Sequence, residues 1–422
     1  METLMQNLSR AQKIRSIIAA ASGNLVEWFD FYIYAFSATY FAHSFSESSN
    51  PIIQQIQVFG IFAAGFFIRP IGSWLFGSLA DRIGRKKSMI LSVCLMAAGS
   101  FLIAALPTKE KVGDLAILLL LLARMIQGLS VGGEYGIVAT YLSELGSKGK
   151  RGFYCSFQYS TLIGGQFLAV ASIELVLLFF SVEQMGAFAW RILFVLGGLL
   201  ALGSLLARRV MDESSSDLEE HSDRGTLRGL LPYWNLCLIV FIISAGGSLA
   251  FYTITTYAKT YLENAGMAKP IVNQIFMGAL FVLMVIQPLF GIIGDKIGHK
   301  NAILVFTVLA FFGIYPLFKL LPVYAHNPVM AFSIVIALFL ILSFYTSIAG
   351  IFKASLFPEH VRALGTGFSF ALGNALCGGS TPYVALQFKN AHLENGFFVY
   401  VAVLMVLMFI AAMCLPKKEL LD

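Results

Sequence analysis

Residues 23–36 read GNLVEWFDFYIYAF and set two carboxylates, Glu27 and Asp30, inside an otherwise apolar run. An ionised side chain at the centre of a bilayer costs roughly 2.5–3.5 kcal/mol on insertion scales, so such groups persist where they pair, protonate or face a polar cavity. Two arginines lie in comparable surroundings, Arg69 in GFFIRPIGSWLFG and Arg124 in ARMIQGLS. A guanidinium keeps its charge and offers a planar fork of donors that matches a carboxylate. Deep acids and deep arginines together are the material for moving a proton and holding an organic anion.

At about 100° per residue, Asn24, Glu27, Asp30, Tyr34 and Ser37 fall within about 140° of one another, which predicts a polar stripe facing a central cavity. Arg124, Gln127 and Glu134 gather in the same way. Asp30 is read as the proton-coupling carboxylate and Arg124 as its partner and a substrate ligand. Protonation of Asp30 would release Arg124 to hold a substrate carboxylate, and a static pair fixing helix packing is the structural alternative. Glu27 is open between coupling and structure. Glu134 lies about 15 Å from Arg124 at 1.5 Å per residue, placed to pass the proton on or to pair with a loop cation.

Arg69 is a second deep guanidinium fork, open between substrate contact and helix packing. Gln166 is expected to line the cavity. In FYTITTYAK, Tyr252, Thr253, Thr255, Thr256 and Tyr257 are hydrogen-bonding candidates, and Lys259 is open between holding a substrate and snorkelling to the interface.

The elements that must carry these residues follow from composition. Of 422 residues, 58% are hydrophobic and 12% charged, with mean hydropathy +0.79. Soluble proteins carry about one-quarter charged residues, and a spanning helix needs about 20 apolar ones. Turn and charge punctuation predicts an all-α membrane protein with spans at 16–42, 56–80, 88–107, 115–143, 153–180 and 188–209. A second set lies at 234–262, 272–293, 302–322, 328–351, 363–388 and 396–415. The intervening 208–233 is polar and reads as a cytoplasmic linker between a 1–207 bundle and a 234–422 bundle.

Net charge is +6, yet cations such as Arg82, Lys86, Lys150, Arg151, Lys296 and Lys300 concentrate in alternate loops. That asymmetry places both termini and the basic loops in the cytoplasm and carries no nucleic-acid hypothesis. Five dispersed cysteines lack ligand or disulfide spacing. No phosphate-binding glycine loop is present, which disfavours ATP-driven transport, and no nucleophile–base constellation points to an enzyme.

GSLADRIGRKK at 77–87 is repeated as GIIGDKIGHKN at 291–301, after the second span of each half. Asp81 aligns with Asp295, Gly84 with Gly298, and Arg85 with His299. This duplication predicts parallel repeats about an axis along the membrane normal. It also predicts a cytoplasmic gate: Asp81 against the positive N-terminal end of a helix from the other half, and Arg85 paired with an acid such as Glu144. His299 in place of a second arginine predicts a weaker or pH-sensitive latch in the second copy.

The loop motif and the R-x-x-Q-G of Arg124–Gly128 resemble major facilitator signatures. GNLVEWFDFYIY, QGLSVGGEYG, FQYSTLIGGQ and SFYTSIAGIFKASLFPEHVRALG resemble, more narrowly, the metabolite:proton symporter family, over nearly the whole chain. The resemblance implies twelve helices in two pseudo-symmetric six-helix bundles and alternating access in a bacterial inner membrane. It implies proton-coupled uptake of a small organic acid, with alpha-ketoglutarate favoured over shikimate, citrate or a compatible solute. No cofactor is expected beyond the proton as coupling ion, and the partners are substrate, proton and membrane lipid around a monomer. A non-transporting membrane sensor is the reading from another class, and the chain leaves little room for an output domain.

Overall fold

The computed structural model describes residues 10–46, 48–83, 85–132, 135, 149–209, 226–358 and 361–415. The described residues form twelve helical passes. In the first half these are α1 (Arg10–Phe41), α2 (Pro51–Phe67 continued by Arg69–Ile83), α3 (Arg85–Ala105), α4 (Leu115–Val131), α5 (Arg151–Leu177) and α6 (Trp190–Arg209). The second half holds α7 (Trp234–Tyr252, Thr253–Tyr257 and Ala258–Asn264), α8 (Lys269–Ile297), α9 (His299–Val323) and α10 (Pro328–Thr346 and Ala349–Ser355). It ends with α11 (Arg362–Gly373, Asn374–Gly379 and Thr381–Asn390) and α12 (Glu394–Met413).

Eight helices are long and apolar enough to cross a membrane, and Ile90–Ala105 and Leu115–Val131 are shorter apolar ones. Their outward faces carry side chains such as Phe312, Val329 and Val399, each more than 60% exposed. Contiguous apolar surface of that extent suits lipid and not water.

Local chemistry sets the helix ends. Asn50 accepts a bond from the Ile52 amide and Pro51 opens α2; Asn327 and Pro328 do the same for α10 through the Met330 amide. Such caps satisfy amides that a helix start leaves without partners. Gly298 of the repeated motif has φ +88° and turns the chain between α8 and α9, a conformation open to glycine at little cost.

The two halves meet along α5 against α8 and along α2 against α11. Small residues set both contacts. A Cβ on Gly291 would stand 2.7 Å from the Gly152 carbonyl oxygen, and one on Gly379 would stand 2.1 Å from Phe66. Without a hydrophobic drive between helices in lipid, close approach of this kind is what packing relies on. Three stretches are π-helical: Met185–Ala189 ahead of α6, Thr253–Tyr257 in α7 and Asn374–Gly379 in α11.

Candidate substrate and proton site

Asp30 is 1% exposed on α1 and faces the interior of its own half, not a central cavity. Its carboxylate accepts a bond from Ser100 Oγ of α3 at 2.5 Å and from Gln127 Nε2 of α4 at 2.9 Å. On a third side stands α6, where a Cβ on Gly197 would come within 2.1 Å of Asp30 Oδ1. Arg124 Nη1 donates to Gln127 Oε1 at 2.6 Å. The expected Asp30–Arg124 pair is therefore made through an amide: one end of Gln127 holds the acid and the other holds the guanidinium. Gln127 also donates to Ser100 at 2.8 Å, which fixes its orientation.

The single polar stripe expected on α1 is divided among neighbours. Asn24 donates to the Gln158 carbonyl and to Thr161 Oγ1 of α5, Tyr34 donates to the Val58 carbonyl of α2, and Ser37 to its own helix. An arc of about 140° on a helix surrounded on all sides reaches more than one partner.

Arg69 and Arg124 lie against the same ring. The Phe31 centroid is 4.2 Å from the Arg69 guanidinium carbon and 4.6 Å from that of Arg124. Phe66 and Trp28 also flank Arg69, and Tyr34 flanks Arg124 at 4.3 Å. Aromatic faces stabilise a desolvated cation by about 2 kcal/mol or more, yet they accept no ordinary hydrogen bonds. Among the described residues, Nε and Nη2 of both arginines have no hydrogen-bond partner, and neither do Tyr32 Oη, both amide atoms of Gln166 and Asn374 Nδ2. Tyr252 of α7 packs on this cluster from the other half, its ring centroid 5.3 Å from that of Phe66 and 6.3 Å from that of Tyr32, and the Glu27 charge acts on Arg69. Buried donors are normally satisfied, so orphaned donors gathered here are groups that a polar, anionic ligand would meet.

Two expected ligands lie elsewhere. Tyr257 packs within the second half, with ring centroids 5.3 Å from Phe397 and 6.2 Å from Phe318. The π-helical turn Thr253–Tyr257 adds a residue to the winding and so rotates the residues beyond it by about 100° relative to an unbroken α-helix. Tyr252, just before that turn, takes the central place. Lys259 pairs with Glu263 at 2.6 Å and donates to the Phe36 carbonyl near the end of α1 at 3.3 Å. It joins Lys269, which donates to the Thr39 carbonyl at 2.6 Å, and Asn273, which donates to Tyr40 Oη at 2.9 Å. Gln55 and Asn264 exchange amide bonds between α2 and α7. These contacts close the halves at the end remote from the basic loops.

The basic-loop end is closed as well. Asp295 accepts from the amides of Gly152 and Phe153, the second and third residues of α5, at 2.7 and 3.0 Å. A carboxylate at a helix N-terminus meets free amides and the positive end of the dipole together. His299 Nε2 lies 3.2 Å from the same carboxylate. The second motif copy thus makes the contact expected for Asp81. Gly84, Glu134 and Glu144 lie outside the described residues, as do the side chains of Asp81 and Arg85. Lys353 donates to Tyr135 Oη across the halves at 3.0 Å.

Gln127, Ser100 and Tyr252 complete the site. Gln127 carried a sequence signal in its spacing from Arg124. Ser100 carried none, because a serine in an apolar helix most often bonds its own backbone.

With this geometry in place, comparison with known proteins is direct. The Major Facilitator Superfamily model matches residues 20–382. The chain is 49% identical to the alpha-ketoglutarate permease of Escherichia coli K12 over 96% of this chain and 94% of that protein. It is 28% identical to the citrate-proton symporter of Klebsiella pneumoniae over 88% and 85% of the two chains. A solved structure of the xylose transporter XylE from E. coli superposes with TM-score 0.75 at 16% identity, covering 96% of this chain and 100% of that one. A twelve-helix body in two halves, closed around paired arginines and matched over most of its length, belongs to the Major Facilitator Superfamily of transporters.

Proposed function

We propose that this chain is a proton-coupled symporter that imports a small dicarboxylate, alpha-ketoglutarate, by alternating access across a bacterial cytoplasmic membrane. Both termini and the basic loops lie on the cytoplasmic side in this reading, as the distribution of cations supports. The observation that carries it is the pair of caged arginines with unpartnered donors, one of them tied to a buried acid through Gln127. Two forks suit two carboxylates, and the relatives are named for a dicarboxylate, alpha-ketoglutarate, and a tricarboxylate, citrate.

Arg69 and Arg124 hold the substrate, with Tyr252, Tyr32, Gln166 and Asn374 placed for its remaining oxygens. Asp30 takes the proton. When Asp30 is ionised it holds the Gln127 amide, which in turn holds Arg124. When it is protonated that hold weakens, and Arg124 is released toward a carboxylate. Coupling follows because anion and proton each favour the arrangement that binds the other. An anion entering against a negative-inside potential needs such protons, since each charge moved across 100 mV is worth about 2.3 kcal/mol. Glu27 shares the electrostatics of Arg69 and contributes to the charge balance of the site.

Purified protein in liposomes, loaded with buffer and given labelled alpha-ketoglutarate, tests the reading. Uptake should rise with an inward proton gradient and collapse when the gradient is dissipated. Competition by unlabelled citrate, shikimate and betaine ranks the substrates. Uptake of alpha-ketoglutarate that ignores the gradient, or strong competition by betaine alone, refutes it.

A further inference from the structure

Lys353, in the Ala349–Ser355 stretch of α10, is fully buried and takes no part in the site above. Among the described residues no carboxylate pairs with it. Its ammonium sits 4.0 Å from the Phe370 centroid and 5.0 Å from that of Tyr135, with Phe352 and Tyr345 within 6 Å. Its one hydrogen bond goes to Tyr135 Oη, so a group with three donors has one acceptor. That acceptor belongs to the other half of the molecule. Tyr135 stacks on Phe370 of α11 with centroids 3.6 Å apart, and this stack and the Lys353 bond bridge the halves together.

The position is on the route to the basic-loop side. Tyr135 is eleven residues beyond Arg124 toward the basic-loop end. When the halves part at the basic-loop end, Tyr135 leaves with its own half. The ammonium then loses its acceptor and faces the vestibule through which a carboxylate departs. A methionine of similar length would seal an apolar cage better than a lysine, so closure alone does not account for the charge.

We propose that Lys353 is a second carboxylate-binding position, shielded by Tyr135 in the closed form and offered to the dicarboxylate when the basic-loop end opens. This rests on the function proposed above. A carboxylate would shift from the arginines to Lys353 before it reaches water, so Lys353 would set affinity on one face of the membrane only.

Oriented membrane vesicles, right-side-out and inside-out, test this with alpha-ketoglutarate as probe. Replacing Lys353 by Met should raise the half-saturation constant measured from the basic-loop face by about ten- to a hundredfold, the loss of one charge-assisted bond. From the opposite face the change should stay below about threefold by the same reasoning. The preference for alpha-ketoglutarate over a monocarboxylate of similar size should fall on the basic-loop face alone, and Lys353→Arg should restore much of it. Lys353→Gln carries the same expectation should the Met variant fail to assemble. Equal shifts from both faces, or none, overturn the proposal while leaving the symporter reading intact. Wild-type vesicles that take up no dicarboxylate from either face overturn both.

Discussion

Replacing Asp30 by Asn removes a proton site while leaving the surrounding bonds intact, and the structure shows how. The carboxamide oxygen of the variant can keep the bond from Gln127 Nε2, now 2.9 Å long. Its new amide hydrogen would point at Ser100 Oγ, which at present donates to Asp30. Ser100 can turn its own hydrogen to the Met96 carbonyl, already 3.3 Å away, and accept instead. Every partner is then still satisfied, and the neutral amide holds Gln127 as the protonated acid would, less firmly than the carboxylate. The cost in stability should be at most about 1 kcal/mol, that of one adjusted neutral hydrogen bond. Coupling should vanish, because an amide does not take the proton. With the membrane potential clamped at zero, a one-unit inward pH gradient supplies about 1.4 kcal/mol per proton, enough for roughly tenfold accumulation per coupled proton. Wild-type liposomes should reach at least that level, and Asp30→Asn liposomes should stay near the external concentration. Exchange of internal for external alpha-ketoglutarate should persist within about threefold of wild type, since that change corresponds to well under 1 kcal/mol. Accumulation above about threefold in the variant would refute Asp30 as the coupling group on the same scale. Loss of exchange as well would refute the bond-for-bond replacement just described.

Three further outcomes rest on the same geometry. Arg124→Gln should weaken dicarboxylate binding by more than about a hundredfold, and Arg124→Lys by roughly tenfold because the charge stays and the fork is lost; isothermal titration in detergent reads both. Gly152→Ala would set a Cβ 2.7 Å from Asp295 Oδ1 and 2.8 Å from the Gly291 carbonyl. It should part α5 from α8 and increase thiol labelling of a cysteine introduced at the basic-loop end, and unchanged or reduced labelling counts against that latch. Lys259→Gln should increase labelling at the opposite end while leaving the half-saturation constant within about threefold, whereas a substrate ligand would move it by tenfold or more.

Helical periodicity and composition identified the passes, the division into halves and the polar positions on α1, because these depend on chemistry along one helix. Which neighbour each polar group meets depends on packing between helices, and there the sequence is less legible. Asp30 was recognisable as an acid in need of a partner, but nothing in the order of residues distinguishes a direct arginine contact from one made through Gln127. Tyr257 illustrates a different loss. Tyr252 and Tyr257 are equal candidates in one polar stretch, and composition does not show the π-helical turn Thr253–Tyr257 that lies between their positions on the helix. Lys259 was visible as a cation near a helix end; that it closes the two halves together depends on where Phe36 of α1 lies. The duplicated motif was the most informative signal, since Asp295 makes the helix-terminus contact that its residue type and spacing call for.

The π-helical turns in α7 and α11 set these two helices apart mechanically from the helices that carry the charged groups. Each turn holds one residue of slack, so the helix beyond it can advance by about 1.5 Å and rotate by about 100° through local rewinding, with few hydrogen bonds lost. Both turns adjoin the central site, beside Tyr252 and at Asn374. Among the described residues, the helices bearing Asp30, Arg69 and Arg124 contain no such turn. The charge-bearing helices therefore act as a stiff receptor, and α7 and α11 as a compliant cover able to conform to acids of different length without disturbing the groups that recognise them.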